Sequence, residues 1–358
     1  MVGTYIGPWP RRSLAKAVLL GLGHDGLREH RAVRLRVSRL GLGTFNFGHD
    51  VVGCDEATSI AVIRTYLDAG HNYIDTANIY GGSLAETYVG KALEGHRQDV
   101  VLATKAGGAY GPGPFESGAS RKALHRALED SLRRLQTDYV DLYLMHVYDY
   151  NAPVEETLST LNDFVHEGFI RHYGVCNWNA SQIVDAVRLC ELHGWEKPVS
   201  AQLQYNVLQR DIEVEIMPVC QRFGIAVLPW SPLAGSFLTG RFRAGRDVPE
   251  GGRLAILPGM ASRLTPATYE VIELVVAEAD ALDITPVALS LAWLMQKPGV
   301  VAPLIGPETE QQLHENLAAL DVTLPLETIA RIDAATLPAV GYPNNFGKSG
   351  APPPGAQR

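Results

Sequence analysis

Residues 73–82, YIDTANIYGG, carry a short apolar run into an aspartate, Asp75, and set a tyrosine, Tyr80, five residues later. Other apolar runs also close on polar residues: VVLATK on Lys105, DLYLMH on His146, GVCN on Asn177, and AQLQYN on Gln202 and Asn206. A lone polar residue at a strand end is usually a cap or the start of a turn. Five successive runs ending this way point to chemistry. A phenol ionises near pH 10, so it is a poor acid at neutral pH unless an adjacent cation favours its phenolate (about 10 in model peptides). Lys105 could supply that charge, Asp75 could hold the ammonium, and a neutral His146 could donate a hydrogen bond to a substrate oxygen. Together they make a proton donor aimed at a carbonyl whose oxygen becomes negative as a nucleophile arrives. The sequence has no metal-ligand spacing and pairs no serine or cysteine nucleophile with a base. The attacking species is most simply a hydride, which requires a cofactor.

The elements that must position these residues alternate regularly. Apolar runs occur at 39–44, 72–76, 99–105, 139–146, 171–177, 200–206, 224–230 and 300–306. Between them lie amphipathic segments of helical length, among them 55–70, 119–135 and 153–168. In the last of these, Val154, Leu158, Leu161, Phe164 and Val165 follow the 3.6-residue period, with Pro153 suited to the first turn and Gly168 to the C-terminal cap. Strand and helix in alternation imply parallel strands with crossover helices. Eight runs over this length point to an α/β fold, a (β/α)8 TIM barrel whose active-site rim is the C-terminal end of the strands. An open doubly wound sheet is the alternative. Long loops over that rim are expected at 107–120, 236–265 and in the tail from about 338, and such loops choose the substrate. Phe45, Phe47, Tyr148 and the tail segment YPNNF (342–346) are candidates to line its pocket. The expected organisation is a leader over 1–33, one barrel over 34–338 and a C-terminal tail over 339–358.

Composition excludes several classes. Net charge is −8, with no Lys/Arg cluster beyond the first forty residues, which argues against a nucleic-acid partner. Cys54, Cys176, Cys190 and Cys220 are widely spaced and form no CxxC pair, so neither a disulfide framework nor a zinc site is suggested and a cytoplasmic setting fits. RRSLAKAVLLGLG (11–23) has a twin-arginine look, but Lys16 interrupts its apolar run and no small-residue cleavage site follows. No run reaches the roughly 20 apolar residues a membrane span needs. GLGHDG (21–26) matches GxGxxG, yet no second strand ending in an acid follows, and the dinucleotide-turn reading is rejected.

The sequence resembles the aldo-keto reductase family from about residue 39 to about 335. DTANIYGG is similar to the family's DTAxxYG element, ATK supplies Lys105 and DLYLMH supplies His146. The resemblance implies a barrel with nicotinamide across its C-terminal rim. Tyr80 is then the general acid, tuned by Lys105 and Asp75, and His146 orients the carbonyl. GVCNW is similar to GVSNF/W, with Cys176 in place of serine and Asn177 kept. With Gln202 of QLQYN, these would grip the nicotinamide carboxamide. LPWSPLAGSFLTGRF implies Trp230 stacked on nicotinamide and Ser231, Leu233 and Gly235 around the pyrophosphate, with Gly240 and Arg241 further along. LIGPETEQQLHENL resembles the adenosine-binding stretch, bringing in Gly306, Gln312, Glu315 and Asn316; Thr44 is carried over as a further cofactor residue.

Many relatives hold the 2′-phosphate of NADPH with a basic residue where this chain has Glu308 or Gln312. A carboxylate a few Å from a phosphate costs about 1–4 kcal/mol at protein-surface dielectrics. NADPH remains the expected cofactor, with NADH as the alternative and Arg241, Arg243 or Arg246 as substitute cations. The resemblance thus implies an NAD(P)H-dependent carbonyl reductase or alcohol dehydrogenase acting on a small molecule. Two rivals are a sugar or sugar-nucleotide dehydrogenase and a non-catalytic, cofactor-binding regulatory subunit. Nothing in the sequence speaks to oligomeric state.

Overall fold

The structure, a computed structural model, describes residues 16–18, 35–49, 53–247, 254 and 258–346. The first described element is β1 (Lys16–Val18), which pairs antiparallel with β2 (Arg36–Ser38). The remainder of the expected leader over 1–33 lies outside the described residues. Then come β3 (Gly41–Gly43), β4 (Tyr73–Asp75), β5 (Val101–Ala106), β6 (Val140–Met145), β7 (Ile170–Cys176), β8 (Ser200–Gln204), β9 (Ala226–Trp230) and β10 (Leu304–Ile305). These eight are parallel and neighbour one another in the order β10-β3-β4-β5-β6-β7-β8-β9. The seam between β9 and β10 is bridged at Val227, whose N–H donates to Gly299 O and whose carbonyl accepts from Val301 N, both at 3.0 Å. The sheet is a nearly closed barrel. Each of the eight apolar runs became one strand, and the open-sheet alternative is set aside.

Helices cover the outside: α1 (Glu56–Asp68), α2 (Leu84–Ala92), α3 (Arg121–Leu135), α4 (Val154–Glu167), α5 (Ala180–His193), α6 (Ile216–Phe223), α7 (Pro266–Ala281), α8 (Pro286–Met295), α9 (Glu310–Leu317) and α10 (Leu326–Ala335). Their starts are written in side chains that accept from the first turn, such as Asp55, Ser120, Thr265, Thr285 and Thr309. Asn179 and Gln182 form a reciprocal capping box on α5. On α3 the buried residues Ala123, Leu124, Ala127, Leu128, Ser131 and Leu135 fall on one stripe, which packs against the barrel. Gly168 ends α4 at φ 82°, as expected of a left-handed cap, while Pro153 stands one position before the first turn. Among the described residues no helix is long and apolar enough to cross a membrane.

Two apolar layers follow from the pleat, which sends successive side chains to opposite faces. Leu102, Tyr143, Met145 and Ile74 join the large core between barrel and helices. Tyr73, Val101, Ala103, Leu142, Leu144, Ala226 and Leu228 form a separate cluster inside the barrel. The barrel strands are therefore buried on both faces over most of their length, which explains runs that read as apolar almost throughout. Parity then places the polar residues. Asp75 follows Tyr73, Lys105 follows Val101 and Ala103, His146 follows Leu142 and Leu144, and Trp230 follows Ala226 and Leu228. On β7 and β8 the corresponding inward positions are Gly174 then Cys176, and Ser200 then Gln202. Gly174 is needed there, because a Cβ would sit 2.3 Å from Ser200 Oγ and 2.7 Å from its carbonyl. Asp75, Lys105, His146, Cys176, Gln202 and Trp230 thus face inward at or near the C-terminal ends of six neighbouring strands, above a floor of apolar side chains.

Two of the expected loops have local structure. Within 236–265, short 3₁₀ segments form at Phe237–Thr239 and Pro258–Arg263, and residues 248–253 and 255–257 lie outside the described set. The tail is tied down through Asn344 Nδ2, which donates to Glu215 Oε1 at 2.7 Å. Its aromatics do not enter a pocket: Tyr342 is 80% and Phe346 78% exposed, packed edge to face on each other. Residues 347–358 lie outside the described set.

Candidate active site

The four residues singled out for chemistry converge. Lys105 Nζ donates to Asp75 Oδ1 at 2.5 Å, to the Thr76 carbonyl at 2.8 Å and to Tyr80 Oη at 3.0 Å. All three ammonium protons are thus used, and Lys105 is completely buried. The His146 ring stands edge-on to the Tyr80 ring, centroids 5.9 Å apart, and Phe45 packs against Tyr80 with centroids 5.2 Å apart. Tyr80 is carried on a sharp turn. Gly81 has φ 55°, and a Cβ on it would lie 2.3 Å from the Phe47 carbonyl, so only glycine lets the chain double back here.

Burial and charge set the proton affinities. Burial works against the Lys105 ammonium, but the Asp75 carboxylate and the Tyr80 phenol carry it above the ordinary lysine range. Burial pushes the Tyr80 phenol above its ordinary value, and the Lys105 charge opposes this without overcoming it. The phenol therefore keeps its proton at neutral pH; the sequence had suggested a stronger pull towards phenolate. Burial, then the Lys105 charge, pulls the His146 imidazole down to about 3, so this ring is neutral. Its Nδ1 is buried and has no hydrogen-bond partner among the described residues. The arrangement presents a protonated hydroxyl and a neutral imidazole side by side, backed by a buried cation.

The residues implied for a nicotinamide cofactor lie on the same rim. Trp230 Nε1 donates to Asn177 Oδ1 at 2.9 Å, and Asn177 Nδ2 reaches Cys176 Sγ and the His146 carbonyl, both at 3.2 Å. Gln202, almost wholly buried, donates from Nε2 to Asp75 Oδ2 at 2.7 Å. Thr44 is buried, with its hydroxyl on the Asp75 carbonyl at 3.1 Å. Past Trp230 the backbone turns left-handed at Ser231, Ala234, Gly235 and Ser236. Among the described residues the N–H groups of Leu233, Gly235 and Ser236 donate to no protein acceptor. A curled backbone with unpaired N–H groups is an anion cradle, and it fits a pyrophosphate.

The last strand contributes Gly306, whose carbonyl accepts from Asn46 Nδ2 at 2.9 Å. On α9, Gln312 and Glu315 are exposed and Asn316 is buried. Gln312 Oε1 accepts from the Glu308 N–H at 2.8 Å, and Glu315 Oε1 from Gln311 Nε2 at 3.1 Å. Of the arginines considered as substitute cations, Arg243 is committed to Glu273 through both its Nε and its terminal nitrogen. Arg241 and Arg246 are exposed. Among the substrate candidates, Phe45 touches Tyr80 and Tyr148 is half-buried, edge-on to Tyr150 and Trp178. Phe47 is fully buried in the core and does not reach the opening.

Two supporting residues lacked an assigned role in the sequence. Asn46 ties the loop after β3 to Gly306. Asn206, fully buried, donates to the Ser231 carbonyl at 2.9 Å and anchors the left-handed turn. Asn206 was visible as a polar residue closing its run, whereas Asn46 stands between two phenylalanines and gave no periodic signal.

A profile of the Aldo/keto reductase family matches residues 39–336. The chain belongs to that family, one of oxidoreductases. Among its relatives is a probable voltage-gated potassium channel subunit beta of Oryza sativa, 34% identical over 307 residues, covering 84% of this chain and 92% of that protein. The uncharacterised oxidoreductase YrpG of Bacillus subtilis is 34% identical over 314 residues, with coverages of 84% and 92%. Norsolorinic acid reductase of Aspergillus flavus is 33% identical over 325 residues, with coverages of 87% and 81%.

Proposed function

We propose that the chain is an NAD(P)H-dependent carbonyl reductase, equally able to run as an alcohol dehydrogenase, with Tyr80 as general acid in reduction and general base in oxidation. The observation that carries this reading is Lys105 Nζ between Asp75 Oδ1 at 2.5 Å and Tyr80 Oη at 3.0 Å, with the His146 ring edge-on to Tyr80. The nicotinamide, when bound, supplies the hydride. Tyr80 then gives its proton to the carbonyl oxygen as negative charge grows there, and the Lys105 ammonium stabilises the phenolate left behind. The neutral His146 ring donates to the same oxygen and orients it. Asn177 and the Gln202 carbonyl oxygen hold the carboxamide, beside Cys176, and the Trp230 ring stacks on the nicotinamide. The unpaired N–H groups around Leu233 and Gly235 cradle the pyrophosphate. The stretch from Gly306 through Gln312, Glu315 and Asn316, together with Arg241, takes the adenosine end.

NADPH is kept as the cofactor and NADH as the alternative, in a cytoplasmic setting. Phe45 and Tyr148 make the substrate mouth apolar and aromatic, which suits an aldehyde or ketone better than a sugar. The rice relative, named as a channel subunit, supports a second reading in which the same cofactor site serves a regulatory subunit. A panel of aldehydes, ketones and sugars, assayed in both directions with both nicotinamides, tests the proposal. Turnover of small carbonyls is the expected result. Tight cofactor binding with no turnover on any of them would favour the regulatory reading.

A further inference from the structure

From the cofactor residues to the acid, the side chains form one directed series of hydrogen bonds. Trp230 Nε1 donates to Asn177 Oδ1 at 2.9 Å and Asn177 Nδ2 to Cys176 Sγ at 3.2 Å. The Cys176 thiol points to Gln202 Oε1 at 3.7 Å, and Gln202 Nε2 donates to Asp75 Oδ2 at 2.7 Å. Lys105 reaches the other oxygen, Asp75 Oδ1, at 2.5 Å. The chemistry fixes which way the Gln202 amide faces. An ionised carboxylate only accepts, so the amide nitrogen must turn to Asp75 and the oxygen to the thiol, which keeps its proton because burial pushes it up to about 12. Every link donates towards Asp75, and bonds aligned in this way polarise one another.

The resemblance gives Gln202 to the cofactor amide. One of its two N–H donors, however, is already given to Asp75, so the cofactor amide would share this side chain with the buried carboxylate. We propose that Gln202 is a positioning residue for the buried Asp75–Lys105 pair. It pins one carboxylate oxygen so that the other faces Lys105, and through Lys105 it holds the Tyr80 hydroxyl in place. The inference rests on the function proposed above and deepens it. Asp75 is faced by Lys105 from β5, Cys176 from β7, Gln202 from β8, Tyr73 from its own strand and Tyr80 from the following turn, with His146 beyond Tyr80. Gln202 is the neutral donor of this set that bonds the carboxylate directly.

Gln202→Met keeps the length and removes the donor; Gln202→Glu keeps a donor only while protonated. Both are made in the full chain and compared with wild type by cofactor titration and by kcat against pH at saturating cofactor. For Gln202→Met, kcat should fall about ten- to a hundredfold, and the acid limb of the profile should move up by about one pH unit, since a carboxylate that loses a donor binds its proton more tightly. Gln202→Glu should be most active relative to wild type at acid pH and lose ground as pH rises. If Gln202→Met weakens cofactor binding alone, with kcat and profile at saturation matching wild type, the inference is overturned and Gln202 is a cofactor ligand only. Should Gln202→Met fail to fold, the trend of Gln202→Glu decides, and a profile parallel to wild type overturns the inference. A wild type that turns over no carbonyl or alcohol overturns the functional reading itself, a separate outcome.

Discussion

The Lys105 ammonium and the Asp75 carboxylate meet at 2.5 Å, with side-chain exposures of 0% and 2%. Two buried opposite charges tolerate each other's presence far better than each other's absence. Lys105→Met should therefore destabilise the fold by about 3–5 kcal/mol, because it strands a carboxylate inside the barrel. Adding Asp75→Asn should recover a large part of that loss. Urea denaturation of the two single variants and the double variant checks this; strictly additive losses would mean the pair is not energetically coupled.

The proton affinities set a directional pH dependence. Burial raises the Tyr80 phenol above its usual value, so the protonated form that reduction needs persists through neutral pH and is lost only in the alkaline range. Oxidation needs the phenolate, so its rate should climb with pH over the same alkaline range. His146 is pulled down to about 3 and contributes no inflection near the ordinary imidazole value. Profiles of kcat in both directions test this. A reduction profile that steps near pH 6.5 and loses the step in His146→Asn would contradict it (about 6.5 being the unperturbed value).

Gly81→Ala combines a strained φ of 55° with a Cβ 2.3 Å from the Phe47 carbonyl. The turn must open, at a cost of about 1–3 kcal/mol, and Tyr80 moves with it. Lower thermal stability together with a drop in kcat of tenfold or more is expected, since misplacing an acid by about 1 Å can cost a hundredfold. Circular-dichroism melts and steady-state rates measure both.

Cofactor choice should respond to α9. Gln312 is exposed and Glu308 brings negative charge where the family resemblance implies a basic residue. Gln312→Arg should raise affinity for NADPH relative to NADH by about tenfold, the scale of one well-placed charge-assisted contact (about 1.4 kcal/mol). Fluorescence titration with both cofactors reads the ratio. A wild-type preference for NADPH above about a hundredfold would show that Glu308 does not oppose the phosphate.

Much of this molecule was legible as periodicity. VVLATK and DLYLMH showed strands that end in polar groups, and the pleat turns that into geometry: Lys105 and His146 continue the inward series begun by Val101 and Leu142. Gly168 likewise announced the end of its helix. Contacts between strands were not legible, because they depend on register and barrel tilt. Gln202 and Asp75 are 127 residues apart, and no local pattern joins them. The same holds for Asn46 and Gly306, 260 apart. Phe47 and the tail aromatics Tyr342 and Phe346 mark the limit of reading function from residue type. All were candidates for a pocket, yet one is sealed in the core and two stand in solvent. Hydrophobicity alone does not say which surface a ring will cover.

The most direct measurement is the effect of Tyr80→Phe on turnover and on cofactor affinity, taken together. Removing the hydroxyl leaves the ring in contact with Phe45 and His146 and touches none of the residues proposed for the carboxamide or pyrophosphate. Carbonyl reduction should fall by at least about a hundredfold, the lower end for loss of a positioned general acid, while cofactor Kd stays within about threefold of wild type. A variant that keeps reducing carbonyls within a few-fold of the wild-type rate would show that the proton comes from elsewhere.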